Sequence, residues 1–174
     1  MESAQSLESQ FTGWLREHRG ILLKVAGSFA TEAAEQADLF QDMAMEIWRS
    51  LPGFKGQSKP STWIYRVCLN TALTWQRSKR KDELQSPLDR VPELSCSSPL
   101  PGRLHEEDEI MRKLFQAVRA LPAGERSLII LLLDGLSYRE IAEITGLTEN
   151  NVGVALTRVR KRLAESLKEV RDEL

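Results

Sequence analysis

The stretch from Trp63 to Lys81 is well suited to bind a polyanion, because it carries five positive charges and no negative charge. At 100° per residue around a helix, one row of its side chains falls within an arc of about 80°. Such a row offers a ring that stacks on a base, an amide that hydrogen-bonds a base edge and guanidinium groups that hold phosphates. The row consists of Trp63, Arg66, Asn70, Thr74 and Arg77. The opposite flank, which is suited to packing, holds Ile64, Val67, Cys68, Thr71 and Trp75.

This helix taken alone also has a second interpretation. Trp63 then belongs to the core, Asn70 has no special role, and the basic residues 77–81 are a solvated helix end. The row of Arg and Asn side chains does not by itself separate the two interpretations, so a second signal is needed.

The second signal lies near the C-terminus and has the form of a helix-turn-helix. Ser137 and Glu140 can form a capping box, Gly146 makes a tight turn, and Thr148 caps the last helix. Along that helix, one face holds Val152, Leu156, Val159 and Leu163. The other face holds Asn150, Gly153, Val154, Thr157, Arg158 and Lys161. An outward row of small and polar side chains is what a helix needs to enter the major groove. An ordinary amphipathic helix with a basic end is the alternative.

Residues 32–48 have the opposite charge, with five acidic residues and no Lys or Arg. A face of this kind repels DNA, so the pattern indicates either a surface that docks a protein partner or a solvated helix face. The net charge of -1 hides this segregation. Binding of DNA therefore has to be inferred from local patches rather than from the overall charge.

Other classes of function find little support. Cys68 and Cys96 form no C-x-x-C pair, and the cluster from His105 to Glu109 lies where a helix begins, so we expect no metal and no cofactor. A phosphate-binding glycine loop and a nucleophile–base pair are both missing, which predicts that the chain is not an enzyme. The polar N-terminus and the lack of an apolar run of ~20 residues predict a cytoplasmic protein without membrane insertion.

The elements that must position these residues are predicted to be almost all α-helical, in two small domains. Residues 7–30 have helical spacing and are predicted as two helices that meet near Gly20. Residues 33–50 form a helix with one apolar stripe, and residues 51–53 end it. That stripe is predicted to contain Phe40, Ala44, Ile47 and Trp48. Residues 54–60 form a loop, and Ser61 or Thr62 caps the next helix.

The helical pattern stops at Asp82 and returns at about His105. Four prolines and four serines lie between these residues, a composition typical of a flexible linker. Beyond it, one helical stripe is predicted to hold Ile110, Leu114, Ala117 and Leu121. Pro122 then opens a helix that ends at Gly135, and the last helix runs close to the C-terminus.

Two segments resemble a known family. The segment Asp38-Leu39-Phe40-Gln41-Asp42, with Thr62-Trp63-Ile64-Tyr65-Arg66-Val67, is similar to region 2 of bacterial RNA polymerase sigma factors, most closely the extracytoplasmic-function group. The segment Gly135-Leu136-Ser137-Tyr138-Arg139-Glu140-Ile141-Ala142-Glu143, followed by Arg158-Val159-Arg160-Lys161-Arg162-Leu163, is similar to region 4. The two matches cover most of residues 10–165, in the order and with the gap of the family.

The resemblance implies roles for three sets of residues. Opening and capture of the promoter −10 element are implied for Lys55, Lys59, Trp63, Arg66, Asn70, Thr74, Arg77, Lys79 and Arg80. Recognition of the −35 element is implied for Ser137, Tyr138, Arg139, Asn150, Asn151, Gly153, Val154, Thr157, Arg158 and Lys161. Docking on the clamp helices of the largest polymerase subunit is implied for Asp38, Leu39, Gln41, Asp42, Met45, Glu46 and Arg49.

The expected organisation is region 2 in residues 1–82, a linker in 83–107 that threads into the polymerase, and region 4 in 108–174. The expected partners are core RNA polymerase, promoter DNA and an anti-sigma factor. A one-component helix-turn-helix regulator that acts without polymerase is the alternative function. A helical adaptor without a role on DNA is a third, but it would need neither basic segment.

The last helix departs from the family pattern. Many members have Thr-Val-x-Ser-Arg-Leu near its start, whereas this chain has Asn151-Val152-Gly153-Val154-Ala155-Leu156. Val154 stands at the serine position and Ala155 at the arginine position. The −35 preference of the family is therefore not carried over to this chain. A valine can pack on a thymine methyl, and Asn150 can pair with adenine.

Overall fold

The structure, a computed structural model, describes residues 2–85 and 105–172, with the side chains of residues 5–81 and 112–167. Within these ranges the chain forms seven α-helices and no strand, which confirms the all-α prediction. The chain divides into two compact units, Met1–Ser98 and Pro99–Leu174. The prolines and serines of the predicted linker, together with Cys96, lie outside the described residues.

The N-terminal unit is a bundle of three helices, each of which packs against the other two. The helices are α1 (Glu2–Phe29), α2 (Ala33–Ser50) and α3 (Pro60–Gln85). A 3₁₀ turn at Leu51–Gly53 ends α2, as predicted. The side chains that meet in the centre include Leu22, Val25, Leu39, Met43, Ile47 and Ile64. Burial of one such side chain stabilises the fold by roughly 1.5–3 kcal/mol, so this centre is what holds the three helices together.

The prediction of two helices in residues 7–30 is wrong, because α1 runs without a break through Gly20. A glycine inside a helix costs only about 1 kcal/mol relative to alanine, which tertiary packing easily offsets. The apolar spacing also continues across this region: His18 is half-buried and lies one helical turn before Leu22. Because the buried stripe keeps its phase from Phe11 to Val25, the core holds both sides of the glycine in one helix.

The buried stripe of α2 lies one residue away from its predicted position. Phe40 and Ala44 are only half-buried, and Trp48 is 44% exposed. The buried side chains lie four residues apart, at Leu39, Met43, Ile47 and Leu51, so Ile47 is the one member of the predicted stripe that is buried. Both sets satisfy helical spacing, so the sequence pattern does not separate them. Contact with α1 and α3 selects the second set.

The predicted cap of the third helix is also displaced. The helix begins at Pro60, and the amide of Trp63 donates to the carbonyl of Lys59 at 3.1 Å. Proline favours the first helical position because its φ is already helical and its missing N–H would find no partner there. Ser61 and Thr62 therefore lie inside the first turn, where Thr62 is 4% exposed.

The C-terminal unit consists of four helices, and the last of them contacts the other three. The helices are α4 (His105–Ala120), α5 (Ala123–Leu133), α6 (Tyr138–Thr145) and α7 (Glu149–Asp172). The fully buried side chains of this unit include Val118, Leu131, Ile141, Val152, Leu156 and Val159. Helix α3 extends to Gln85 and α4 starts at His105, so both ends of the predicted linker 83–107 are helical.

A buried arginine fastens the end of α4 to α5. Arg126 is 5% exposed, and its guanidinium donates to the carbonyl of Arg119 at 2.5 Å and to that of Leu121 at 2.9 Å. Carbonyl groups at the end of a helix lack partners within the helix and carry partial negative charge, which a guanidinium satisfies. Arg126 therefore has a structural role in the sharp turn that Pro122 makes before α5.

The connections of the helix-turn-helix follow the predicted turn chemistry. After α5, Gly135 has a φ of +79°, and the amides of Gly135 and Leu136 donate to the carbonyls of Leu132 and Leu131. This pair of hydrogen bonds is a Schellman motif, in which a left-handed residue is required. Gly146 has a φ of +76°, and its amide ends α6 with a single hydrogen bond to the carbonyl of Ala142 at 2.9 Å. These two glycines turn the chain so that α6 and α7 pack together.

Candidate nucleic-acid interfaces

Four of the five predicted row residues on α3 are exposed. Arg66, Asn70, Thr74 and Arg77 all face solvent, while the packing flank opposite contains the buried Ile64 and Cys68. The two flanks are therefore separated as the helical spacing predicts. Burial raises the pKa of the Cys68 thiol to about 12 and also raises the pKa of Tyr65. Both groups are thus neutral at pH 7, and they belong to the core rather than to the exposed surface.

Trp63 differs from the rest of the row, because it is half-buried in an aromatic cluster. Its ring centroid lies 5.8 Å from that of Trp14 and 5.4 Å from that of Phe54. The rings of Trp14 and Phe54 are 5.0 Å apart, with an edge-to-face angle of 84°. The prediction that Trp63 stands outward with the arginines is corrected accordingly: its ring packs on α1 and on the loop after α2.

The loop between α2 and α3 presents two of the predicted basic side chains. Lys55 and Lys59 are both exposed. Gly56 between them has a φ of +68°, a conformation that side-chain-bearing residues rarely adopt. The amide of Phe54 donates to the carbonyl of Leu51 at 3.0 Å, which fixes the start of the loop. The loop therefore presents two exposed positive charges just before α3, and Gly56 between them has a defined backbone conformation.

Lys79 also differs from its prediction, because its ammonium group is engaged inside the N-terminal unit. It forms an ion pair with the Glu35 carboxylate and lies 5.3 Å from the centre of the Trp75 ring. Its neighbours Arg80 and Lys81 are exposed. The positive charge at the end of α3 thus comes from the residues around Lys79 more than from Lys79 itself.

The C-terminal unit presents the outward face of α7 as predicted. Val152, Leu156, Val159 and Leu163 are buried. The exposed side chains of the other face are Asn150, Asn151, Val154, Thr157, Arg158 and Lys161. Gly153 differs, because a Cβ atom there would lie 3.5 Å from the ring of Tyr138 on α6. Gly153 and the half-buried Tyr138 therefore form part of the contact between the two helices.

Two further side chains near this face are engaged within the unit. The Ser137 hydroxyl accepts from the Glu140 amide at 3.3 Å, and the Ser137 amide donates to Glu140 Oε2 at 3.0 Å, which confirms the capping box. Arg162 Nη1 donates to both carboxylate oxygens of Glu125, at 2.7 and 2.8 Å, and so ties α7 to α5. Arg139 remains exposed and lies 3.6 Å from Glu143.

The acidic face of α2 is exposed at Asp38, Gln41, Asp42, Met45 and Arg49. Glu46 is half-buried and accepts a hydrogen bond from Ser50. The prediction of Leu39 as a docking contact is wrong, because its side chain is 0% exposed and packs in the core. Trp48, which the sequence placed in the core, instead lies at the surface and contacts Phe11 at 5.2 Å between ring centroids.

Sequence reasoning did not find the partners of Trp63 and Lys79. Trp14 and Phe54 are ordinary apolar residues in the pattern, and Glu35 is one acidic residue among five in its stretch. Each is separated from its partner by nine or more positions, so helical spacing carries no signal of the contact.

These features define the class of the protein: a chain of two helical units, each of which carries a helix with an exposed face suited to nucleic acid. Among the described residues, no group of three or more His, Cys, Asp or Glu side chains could hold a metal ion. No helix within residues 2–85 and 105–172 is long and apolar enough to cross a bilayer.

Comparison with known proteins identifies the family. Residues 14–82 match the family described as sigma-70 region 2, and residues 111–163 match that described as sigma-70, region 4. The chain therefore belongs to the sigma-70 family, in the extracytoplasmic-function (ECF) group of RNA polymerase sigma factors. It binds core RNA polymerase and promoter DNA and directs the initiation of transcription at promoters. Members of this family are in general not catalysts.

The curated relatives are distant. The ECF RNA polymerase sigma-E factor of Escherichia coli K12 is 29% identical over 134 residues, which are 72% of this chain and 70% of that protein. The ECF sigma factor SigE of Mycolicibacterium smegmatis is 28% identical over 167 residues, 92% of this chain and 60% of that protein.

Solved structures share the fold. The sigma factor RpoE from Bartonella quintana, in complex with the anti-sigma factor NepR, has a TM-score of 0.74 at 24% identity and covers 91% of this chain and 97% of its own. CnrH, in complex with the cytosolic domain of CnrY, has a TM-score of 0.67 at 22% identity and covers 95% and 94%.

Proposed function

We propose that this sigma factor divides promoter recognition between two surfaces, each defined by a set of exposed residues. The exposed row of α3 and the loop 54–59 engage the −10 element, and the outward face of α7 engages the −35 element. The observation that carries the proposal is that each unit presents an exposed row opposite a flank that contains buried side chains.

On the −10 side, the loop and α3 combine two kinds of contact. Lys55, Lys59 and Arg77 supply positive charge that attracts the phosphate backbone. Asn70 supplies an amide that can hydrogen-bond the edge of a base once that base has left the duplex. Because unpairing is unfavourable, contacts made only to the separated strand are what drive opening.

On the −35 side, α7 supplies both phosphate and base contacts. Arg158 and Lys161 are exposed near the middle of the helix and are proposed to hold phosphates. Asn150 and Val154, closer to its start, are proposed to meet base edges, where an amide suits adenine and an apolar group suits the thymine methyl.

The acidic face of α2 is proposed to dock the chain on core polymerase. It repels DNA and lies in the region 2 match, so a protein partner suits it better than nucleic acid. The contacts are assigned to the exposed Asp38, Gln41, Asp42, Met45 and Arg49, with Glu46 at the margin. Leu39 is not included, because it supports this face from the core.

The proposed domain boundaries are region 2 in residues 1–82, a linker in 83–107 and region 4 in 108–174. The protein is proposed to work in the cytoplasm, where polymerase and chromosome are found, and to perform no covalent chemistry itself. An anti-sigma factor is proposed as its inhibitor. The support is that the structural neighbours RpoE and CnrH were both solved with protein partners, NepR and CnrY.

One experiment tests the function as a whole. Purified full-length chain is mixed with core RNA polymerase and a pool of randomised duplex templates, and the transcripts are sequenced. We expect transcripts that start at a fixed distance downstream of two shared sequence elements and that require both components. A one-component regulator would bind duplex DNA but add no transcripts to those made by the core enzyme alone.

A further inference from the structure

The aromatic cluster of Trp14, Phe54 and Trp63 joins three separate parts of the N-terminal unit. Trp14 lies on α1, Phe54 opens the loop 54–59, and Trp63 lies in the first turns of α3. All three ring pairs are in contact, with centroid distances of 5.0, 5.8 and 5.4 Å. All three side chains are half-buried, so the cluster lies at the surface end of the bundle rather than in its centre.

The cluster holds both ends of the loop. Phe54 is the first residue of the loop, and its amide is bound to the carbonyl of Leu51. Trp63 lies just after the loop, and its amide is bound to the carbonyl of Lys59. Trp14 contacts both rings, so its side chain joins the two ends of the loop. Gly56 between them is held in a left-handed conformation.

We propose that Trp14 is a positioning residue for promoter opening: from α1 it keeps the loop 54–59 in the conformation that captures the separated −10 strand. Trp14 itself does not have to touch DNA. A loop that is already ordered loses less conformational entropy on binding than a mobile one, so the strand contacts drive opening more effectively. This inference rests on the proposed role of the loop at the −10 element.

The same helix offers a matched control. Phe11 lies three residues before Trp14 and makes an edge-to-face contact of the same kind, 5.2 Å from the Trp48 ring on α2. Replacement of Phe11 by Leu removes an aromatic pair from α1 but leaves the three rings around the loop in place. A defect in promoter opening that both variants share indicates a general loss of packing. A defect that only the Trp14 variant shows indicates that the loop has lost its conformation.

The test uses holoenzyme assembled from core polymerase and full-length chain, on one promoter in two forms. One form is fully duplex, and the other carries a non-complementary bubble across the −10 element. We expect Trp14→Leu to lower opening of the duplex, measured by permanganate reactivity of unpaired thymines, by about tenfold, since two edge-to-face contacts are lost. Transcription from the bubble template and association with core polymerase should stay within about twofold of wild type. Trp14→Phe, which keeps a ring, should recover most of the opening.

Three results would overturn the inference. The first is that Trp14→Leu opens the duplex as well as wild type does. The second is that it reduces transcription from the bubble template as much as opening of the duplex. The third is that it matches the Phe11→Leu variant in every readout. If Trp14→Leu does not fold, Phe54→Leu is tested in its place, because it removes the ring that the loop contributes to the cluster. The same results are expected of it, and the same three would overturn the inference.

A variant of the loop separates this inference from the function on which it rests. Gly56→Ala adds a side chain at a φ of +68° and so strains the loop directly. If Gly56→Ala leaves opening unchanged, the proposed role of the loop fails, whatever Trp14 does. If Gly56→Ala impairs opening and Trp14→Leu does not, only the inference about Trp14 fails. If both substitutions act through the same loop, the double variant should reduce promoter opening by less than the product of the two single fold-reductions.

Discussion

Single charged side chains in this protein are either engaged within the fold or exposed on the proposed DNA-facing surfaces. Lys79 and Arg162 both lie in basic runs, yet each is bound to a carboxylate of another helix. Arg80 and Arg158, in the same runs, are exposed. The Lys79–Glu35 pair is partly buried, and it reduces the positive charge that Lys79 can offer to a phosphate backbone.

Substitution of basic residues at the end of α3 should therefore have unequal effects. Arg80→Gln is expected to reduce the slope of log affinity against log salt by about 0.9, the value for one lost phosphate contact. Lys79→Gln should change it much less, because Glu35 already neutralises that ammonium group. Titration of a −10 duplex with holoenzyme at several salt concentrations measures both. Equal losses for the two variants would show that DNA draws Lys79 away from Glu35.

Asn70 is expected to contribute after the strands separate rather than before. Its amide is exposed on α3 and is proposed to meet the edge of an unpaired base. Asn70→Ala should reduce promoter opening by roughly tenfold, the loss of a hydrogen bond worth ~1–1.5 kcal/mol, while binding to closed duplex changes little. Permanganate footprinting and gel retardation report the two quantities. An equal loss in both assays would remove the proposed role in base capture.

Among the elements, the helix-turn-helix depends most on its turns. The outer faces of α6 and α7 are exposed. The relative placement of the two helices follows from the turns at Gly135 and Gly146 and from the caps at Ser137 and Thr148. Helix α7 is supported by the buried Val152, Leu156 and Val159, which leaves its other face available to DNA. Two glycines in this element differ in what they do, and substitution can separate them.

Gly146→Ala and Gly153→Ala should change stability in opposite directions. At Gly146 the φ of +76° makes alanine unfavourable by roughly 1–2 kcal/mol. Gly153 lies inside α7, and an added Cβ would meet the Tyr138 ring at 3.5 Å, an ordinary contact distance. Alanine there should stabilise the helix by up to about 1 kcal/mol. Urea unfolding of the full chain measures both, and a destabilised Gly153→Ala variant would mean that Tyr138 cannot adjust.

At the level of the whole chain, two units in one polypeptide allow a promoter to be recognised by distance as well as by sequence. Neither unit has to bind tightly alone, because engagement of one raises the effective concentration of the other at its own element. The enzyme on which both are mounted then sets the span between them. This arrangement suits a protein in which the exposed rows of α3 and α7 each contain only a few side chains.

Promoter spacing should therefore matter as much as element sequence. A change of two base pairs between the −35 and −10 elements moves one relative to the other by about 7 Å and rotates it by roughly 70°. We expect transcription to peak at one spacing and to fall by about tenfold or more two base pairs away on either side. Run-off transcription from a series of spacer lengths measures this. A flat response would indicate that the two units bind independently.

Much of this architecture follows from local patterns in the sequence. The helices other than α1, the capping box of Ser137 and Glu140, the glycine turn at Gly146 and the outward face of α7 agree with their predictions. Each depends on residues within a few positions of one another. Helical periodicity and turn chemistry act over that range, and they are therefore legible in one sequence.

Other features depend on which distant residues meet. Helical spacing allows either Leu39 or Phe40 to face the core, and it allows Trp63 to stand outward, but packing of α1 and α3 buries Leu39 and draws Trp63 against Trp14. The pairing of Lys79 with Glu35 arises in the same way, across 44 positions of sequence. Periodicity assigns a side chain to a face of its own helix. The neighbour that this face meets is selected by the close packing of the whole bundle, in which each helix constrains the other two.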